Sequence, residues 1–171
     1  MSLDKRNLNT LFALTLLLTL LTPAMFPTLR LLYFAPFLIV SFYQCPISKC
    51  LWYAFFCGIC LDLVTSEARF GIYALDFIIV TIILYPQKHH FFADNISTLP
   101  IMTYFFSCLA ALIHLLVSSI FNQSIPIGWR WILSDLLIMP MADMFYATAI
   151  FVVPYLIFGK RTRKGKEYFM S

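Results

Sequence analysis

The sequence predicts an all-α integral membrane protein, a single bundle of six transmembrane helices with both termini in the cytoplasm. Hydrophobic residues make up 61% of the 171 residues and charged residues only 12%, and the mean hydropathy is +0.86. A water-soluble fold of this composition would leave large apolar areas exposed to water. A lipid bilayer is therefore the solvent that suits this chain, and long apolar runs and an uneven charge distribution lead to the same class.

A transmembrane helix needs about 20 apolar residues at a rise of about 1.5 Å each, and the chain has room for six of them joined by short loops. They are predicted to form one membrane domain over residues 1–171, with no soluble domain. The predicted spans are 8–26, 31–45, 50–65, 70–85, 99–121 and 131–158, and a basic tail follows over 159–171.

The first two runs are the least typical of the six. The first follows Lys5 and Arg6 as a signal peptide would, but it lacks a small-x-small cleavage site and is interpreted as an uncleaved helix. The second ends before Pro46 and is short for a span.

The remaining runs have clearer boundaries. Only the four residues Ser66–Arg69 separate the third run from the fourth, which predicts antiparallel neighbouring helices. The fifth follows a polar stretch, and the sixth contains Pro140 and Pro154.

Basic residues set the predicted orientation. With six spans both termini lie on one side, and that side collects nine of the twelve Lys and Arg residues. Short loops rich in Lys and Arg face the cytoplasm, so both ends are expected there. The nine are Lys5, Arg6, Lys49, Lys88, Lys160, Arg161, Arg163, Lys164 and Lys166, and the opposite side has Arg30, Arg69 and Arg130.

Ionisable side chains inside these apolar spans are the first candidates for a functional site. Asp76 and His114 are predicted at similar depth, about 10 Å below the outer surface, and could pair. Asp62, and Asp135 near the outer start of the sixth span, fall in the same outer half, whereas Asp143 is predicted nearer the midplane. Asp76, His114, Asp135 and Asp143 are predicted to belong to a polar cluster in the outer half of the bundle. Hydrogen bonds between packed helices, carboxyl groups wetted at the interface, and a ligand or proton site all remain open for this cluster.

The third span carries a second pattern. Ala54, Gly58 and Asp62 recur at four-residue spacing and therefore share one helix face, which allows another backbone to approach closely. These residues are candidates for a partner contact or for structural packing.

Catalytic and metal-binding motifs are not found. Cys57 and Cys60 form a CxxC inside an apolar helix, without the His or further Cys that a zinc site requires. No catalytic triad, HExxH or phosphate loop occurs, and an intramembrane enzyme that uses Asp135 and Asp143 has no support beyond their presence on one helix. The chain is therefore expected to be no enzyme and to bind no metal, cofactor or nucleic acid.

One segment resembles a known family. Gly58-Ile59-Cys60-Leu61-Asp62-Leu63, followed after a short hairpin by Phe70-Gly71-Ile72-Tyr73-Ala74-Leu75, is similar to the G-x-x-x-D-L and L-G-x-x-A-L signature of the rod shape-determining MreD family. The chain length, Pro36 near the start of the second span, and the basic tail fit the same family. Phe70 replaces the leucine of the signature, and Asp76 has no counterpart in it.

This resemblance implies a scaffold of the bacterial cell-shape, or elongation, machinery in the inner membrane. Such proteins bind the single-span protein MreC and thereby link MreB filaments to peptidoglycan synthesis by RodA and a penicillin-binding transpeptidase. For this chain it implies that Gly58, Asp62 and Gly71 matter, and that the small-residue face of the third span helps to hold MreC.

A transporter component is the alternative. The MreD family resembles, in its six-helix architecture, the substrate-binding S components of energy-coupling-factor vitamin transporters, which hold a ligand in an outward-facing pocket. The predicted outer polar cluster would suit such a pocket. The A-x-x-x-A motifs through which S components couple to their transport subunit have no clear match here.

Overall fold

Every regular element in the described part of the chain is a helix. The computed structural model describes residues 7–25, 31–65, 70–90, 98–120, 129 and 132–152. The basic tail 159–171, the end of the predicted sixth span and the hairpin residues 66–69 therefore lie outside the described residues. The helices are α1 (Leu8–Met25), α2 (Ala35–Gln44), α3 (Ile47–Thr65), α4 (Ile72–Leu84), α5 (Thr98–Ile120) and α6 (Ile132–Val152), with a 3₁₀ segment, Tyr85–His90, after α4.

Three of these helices are long and apolar enough to cross a membrane, namely α3, α5 and α6. The helices α1 and α2 are shorter apolar helices by the same measure, and α4 has 13 residues. The all-helical membrane character of the sequence prediction is thus present, while six complete spans and the cytoplasmic position of the termini stay predictions.

The short helix α2 lies at the centre of the bundle. All eight residues from Ala35 to Phe42 are buried, and α2 packs against α1, α3 and α5. A helix that is hydrophobic on every side is stable when other helices surround it. Its short apolar run is explained by this position, because protein rather than lipid covers it.

Polar side chains lie inside the bundle and large apolar side chains cover its surface. Buried polar residues include Thr103, Ser107 and Asp143, whereas Leu63 and Leu116 are more than 60% exposed. This distribution suits a hydrocarbon solvent, since polar groups that find no partner there are costly.

The 3₁₀ segment after α4 closes the end of α2. Lys88 Nζ donates to the carbonyl oxygen of Phe42 at 2.9 Å and lies 3.9 Å from the centre of the Tyr85 ring. Tyr85 Oη donates to the carbonyl oxygen of Cys45 at 3.3 Å. A cation at a helix C-terminus is favourable because the last carbonyl groups have no partner in the helix. Lys88, predicted from charge alone to orient the chain, therefore also stabilises the fold.

The helix α6 is irregular. It is wound as a π-helix over Ile132–Ile138 and again over Thr148–Val152, with Pro140 at the start of the α-helical part between them. Winding of this kind changes which residues share a face, and in proteins it is frequent near functional positions.

Candidate functional site

The small-residue face of α3 packs against the first turn of α4. A Cβ atom added to Gly58 would lie 2.3 Å from the Cα atom of Ala74 and 2.7 Å from both Ala74 N and Tyr73 O. Ala54 on the same face is fully buried. The close backbone approach predicted for this face is therefore present, and its partner is α4 of the same chain.

This packing corrects one expectation drawn from the family resemblance. The face of Ala54, Gly58 and Asp62 was expected to help hold a partner helix, but α4 covers it. Small residues allow any helix to approach closely, whether that helix belongs to the same chain or to another. These residues consequently act within the bundle.

Asp62 caps the N-terminus of α4 from the neighbouring helix. The backbone N–H of Tyr73 donates to Asp62 Oδ1 at 3.1 Å, and that of Ala74 donates to Asp62 Oδ2 at 3.2 Å. The first N–H groups of a helix have no partner inside it, and the residue at the cap position, Gly71, provides no side-chain oxygen. The carboxyl group on α3 thus supplies what the local sequence of α4 lacks.

Gly71 gives the chain its entry into α4. Its φ is +99°, a left-handed conformation that other residues adopt only with strain. Its carbonyl oxygen accepts the N–H of Leu75 at 3.1 Å, which begins the helix. Gly58, Asp62, Gly71 and Ala74 therefore form one joint between two helices, called here the α3–α4 joint.

We expect Asp62→Asn to weaken this joint. Both partners of Asp62 are backbone N–H donors, and an amide offers one acceptor oxygen instead of two, so one donor is left facing an NH₂ group. A buried donor without a partner costs about 1–3 kcal/mol, and thermal unfolding in mild detergent should register that loss. Asp135→Asn is the matched control, because among the described residues Asp135 accepts a hydrogen bond only from its neighbour Ser134. Equal stability of the Asp62→Asn and wild-type proteins would contradict the capping role.

Asp76 and His114 form the pair that their similar depth suggested. His114 Nδ1 lies 2.7 Å from Asp76 Oδ2, and the Asp76 side chain is 2% exposed against 26% for His114. The Tyr73 ring stacks on the imidazole with a centroid distance of 5.0 Å and an interplanar angle of 17°. Since the Tyr73 N–H also donates to Asp62, this residue connects the pair to the α3–α4 joint.

Asp76 is tightly enclosed. Its Oδ1 atom is buried and has no hydrogen-bond partner among the described residues. The oxygen is therefore closed off from any ligand in this conformation.

Coupling between Asp76 and His114 should appear in a double-mutant cycle of thermal stability. His114→Phe removes Nδ1 but keeps a ring that can stack on Tyr73, and Asp76→Asn keeps the shape of the carboxylate. Each single change should lower the unfolding free energy, and the double change should cost less than the sum by about 0.5–3 kcal/mol. Strictly additive losses would show that the two side chains do not depend on each other.

Asp143 forms a separate polar contact deeper in the bundle. It is fully buried, its Oδ1 accepts the backbone N–H of Leu32 at 2.9 Å, and its Oδ2 accepts the Ser107 hydroxyl. One carboxyl group on α6 thereby joins the segment before α2 to the middle of α5. Nearby, Tyr146 Oη donates to the carbonyl oxygen of Tyr33 at 3.4 Å.

The single polar cluster predicted from the sequence is therefore wrong. Of Asp76, His114, Asp135 and Asp143, the structure brings together only Asp76 and His114. Asp143 contacts Ser107 instead, and Asp135 is partly exposed and accepts the hydroxyl of its neighbour Ser134 at 2.5 Å.

Ser107 and Tyr73 are contributors that the sequence reasoning missed. Ser107 lies on a face of α5 with Thr103, Ala110 and His114, at spacings of three and four residues. Such a polar and small-residue face in an apolar helix is a signal of helix packing and would have identified Ser107. Tyr73 carried no comparable signal. It takes part through its backbone N–H, which nearly every residue has, and through its ring, which is one of many aromatic rings in this sequence.

The chemistry of these groups is that of helix packing. They accept hydrogen bonds from backbone N–H groups, allow neighbouring helices to pack closely, and place buried carboxyl groups beside hydroxyl and imidazole groups. Within the described ranges, no group of three or more His, Cys, Asp or Glu side chains is arranged to hold a metal ion. Comparisons with family models, with curated proteins and with solved structures found no match.

Proposed function

We propose that this chain is a non-catalytic membrane scaffold of the bacterial cell-shape machinery, located in the inner membrane. It would bind an MreC-like single-span protein and thereby connect MreB filaments with peptidoglycan synthesis by RodA and its transpeptidase. The observation that carries the proposal is the α3–α4 joint. Gly58, Asp62, Gly71 and Ala74, all positions of the MreD-like signature, meet in one contact.

The nature of that contact supports a scaffold over an enzyme. Every interaction of the joint fixes one helix against another, through a close approach, a helix cap and a turn. A rigid joint between two helices keeps the surface of the bundle in one shape, and a scaffold needs such a surface to bind its partners. A reactive centre would instead need side chains that reach a substrate.

Co-purification tests the proposal. A tagged copy extracted from its native membranes in mild detergent should retain a single-span coiled-coil protein of the MreC kind, with or without a wall synthase. Recovery of an ATPase-driven coupling subunit instead would contradict the scaffold and favour the transporter alternative.

The vitamin-transporter alternative has one observation in its favour, the polar pair of Asp76 and His114 in the predicted outer half of the bundle. The enclosed carboxyl of Asp76 counts against it, because a ligand would have to open the contact first. A thermal-shift screen with vitamins decides between them. A ligand that binds the folded protein tightly raises the apparent melting temperature, and the scaffold proposal expects no shift.

A further inference from the structure

Among the acidic residues that the structure describes, Asp135 is the one whose hydrogen bond comes from its own helix alone. It is partly exposed, and the apolar residues around it face outward, with Leu133 39%, Leu137 50% and Ile138 58% exposed. Its hydrogen bond comes from Ser134, the adjacent residue, at 2.5 Å. The other buried or paired acids, Asp62, Asp76 and Asp143, are all satisfied at least in part by a second helix or segment.

The packing of α6 against α5 places Asp135 well below the outer end of the bundle. Cys108 Sγ donates to the carbonyl oxygen of Leu136 at 3.6 Å, so the residue after Asp135 is level with the middle of α5. A dozen residues of α5 follow Cys108 before the helix ends at Ile120, or roughly 18 Å at about 1.5 Å per residue. With the predicted orientation, Asp135 is therefore expected at the depth of the hydrocarbon, below the outer end of α5, whereas the sequence alone placed it near the outer start of its span.

An ionised carboxyl group on this surface would be stabilised by a cation. Among the described residues no Lys or Arg lies within ion-pair distance of Asp135, and an acid facing lipid is costly unless a partner completes it. Lipid headgroups lie at the interface, above this depth. The basic residues of the described helical segments, Lys49 and Lys88, lie near the predicted cytoplasmic side, so the described helices of a second copy offer no cation here.

We propose that Ser134 and Asp135, on the π-helical start of α6, form the docking point for a membrane helix of a partner chain that carries Lys or Arg in its outer half. The long stem of Lys or Arg lies along apolar surface while its charged end reaches the carboxyl group. The exposed leucine and isoleucine side chains beside Asp135 provide the surrounding apolar contact. This inference rests on the proposed scaffold function and gives it a surface, since α4 already covers the small-residue face of α3.

Photo-cross-linking in native membranes tests the location. A p-benzoylphenylalanine residue in place of Leu137 should give an adduct with the single-span partner. The same residue in place of Ile82 on α4 is the matched control, because Leu137 is 50% and Ile82 51% exposed, and it should give none. Equal adducts from both positions, or an adduct with a second copy of this chain, would overturn the proposal.

Charge reversal tests the chemistry. Asp135→Lys should lower the adduct yield roughly tenfold or more, because it places like charges together, while Asp135→Glu should retain it. Changing the partner's cation to Asp in the Asp135→Lys background should restore the adduct. Both Asp135 variants should melt at the wild-type temperature in detergent, which separates a lost contact from a lost fold. An unchanged yield with Asp135→Lys would overturn the proposal.

The two proposals fail in distinguishable ways. If the wild-type chain retains an MreC-like protein and the Asp135 variants retain it equally, the docking point is wrong and the scaffold function stands. The cross-linker in place of Leu137 could instead form an adduct with a different single-span protein that carries the required cation. If charge reversal at Asp135 abolishes that adduct, the docking point stands and the cell-shape role is contradicted.

Discussion

Replacing Gly58 with alanine is expected to force α3 and α4 apart and to lower the unfolding free energy by about 1–3 kcal/mol or more. The new Cβ would lie 2.3 Å from Ala74 Cα and 2.7 Å from two further backbone atoms. No rotamer change can relieve a clash with backbone, so a whole helix must move. Movement of α4 would also lengthen the hydrogen bonds that Asp62 accepts from its first turn.

Whether Gly58→Ala raises or lowers the unfolding free energy is informative in itself. Alanine in a helix interior is ordinarily about 1 kcal/mol more favourable than glycine, so a less stable Gly58→Ala protein must owe the loss to the contact with α4. Thermal unfolding in mild detergent, followed by the fraction of protein that stays monodisperse, measures the change.

Two control variants sharpen the measurement. Ala74→Gly removes only the Cβ of Ala74 and leaves its Cα and N atoms, so it should not rescue Gly58→Ala. Leu63→Ala alters a side chain that is 66% exposed on the same helix and should change stability little. A Gly58→Ala protein that melts at or above the wild-type temperature would contradict the packing of α3 against α4.

The α3–α4 joint was partly predictable from the sequence because its signals are local. Four-residue spacing puts Gly58 and Asp62 on one face, and the short hairpin makes the next helix an antiparallel neighbour. The sequence could not tell whether that face met a helix of this chain or of another, since both need the same small residues. Only the position of Ala74 against Gly58 decides the question.

Predicted depth in the membrane identified the contact between Asp76 and His114 but not the surroundings of Asp135 and Asp143. Asp76 and His114 lie on neighbouring antiparallel helices, α4 and α5, so similar depth was enough to bring them together. Asp135 and Asp143 lie on one helix, and their directions depend on its winding. Because α6 is π-helical over Ile132–Ile138, spacing rules for a regular helix do not apply, and the two carboxyl groups have different surroundings.

The length rule for transmembrane helices does not apply to a helix that other helices surround, and α2 is such a helix. The rule assumes that lipid surrounds the helix, so that the apolar run must match the bilayer thickness. From Ala35 to Phe42 other residues bury α2 completely, and its neighbours provide the contact with lipid. A short apolar run followed by Pro46 is therefore compatible with a central position, a reading that the sequence by itself did not favour.

Asp143→Ala is expected to be the second strongly destabilising change. The carboxyl group accepts the Leu32 N–H and the Ser107 hydroxyl from two different parts of the chain. Alanine leaves the part-buried Leu32 N–H without this partner, at a cost of about 1–3 kcal/mol, and it removes the only side chain that the buried Ser107 hydroxyl is seen to bond on another helix among the described residues. The segment before α2 and the middle of α5 would then lose the side chain that joins both to α6, and the melting temperature in detergent should fall accordingly.

Asp143→Asn should be far milder, and the reason lies in the partners. An asparagine Oδ1 can still accept the Leu32 N–H, and its NH₂ group can donate to Ser107 Oγ, whose hydroxyl then turns toward a carbonyl one turn earlier in α5. Ser107→Ala in the Asp143→Ala background should add little, because the contact is already lost. A large loss from Asp143→Asn would contradict this account and would mean that the negative charge itself is required.

The same Asp→Asn change is therefore expected to be clearly destabilising at Asp62 and mild at Asp143, although both side chains are buried. At Asp62 both partners are backbone N–H groups, which can only donate, so the second carboxylate oxygen has no substitute. At Asp143 one partner is a hydroxyl, which can donate or accept, so an amide can replace the carboxyl group. Measured side by side, the two variants test whether these acids hold helices by hydrogen-bond geometry or by charge, because a requirement for charge would make both changes equally damaging.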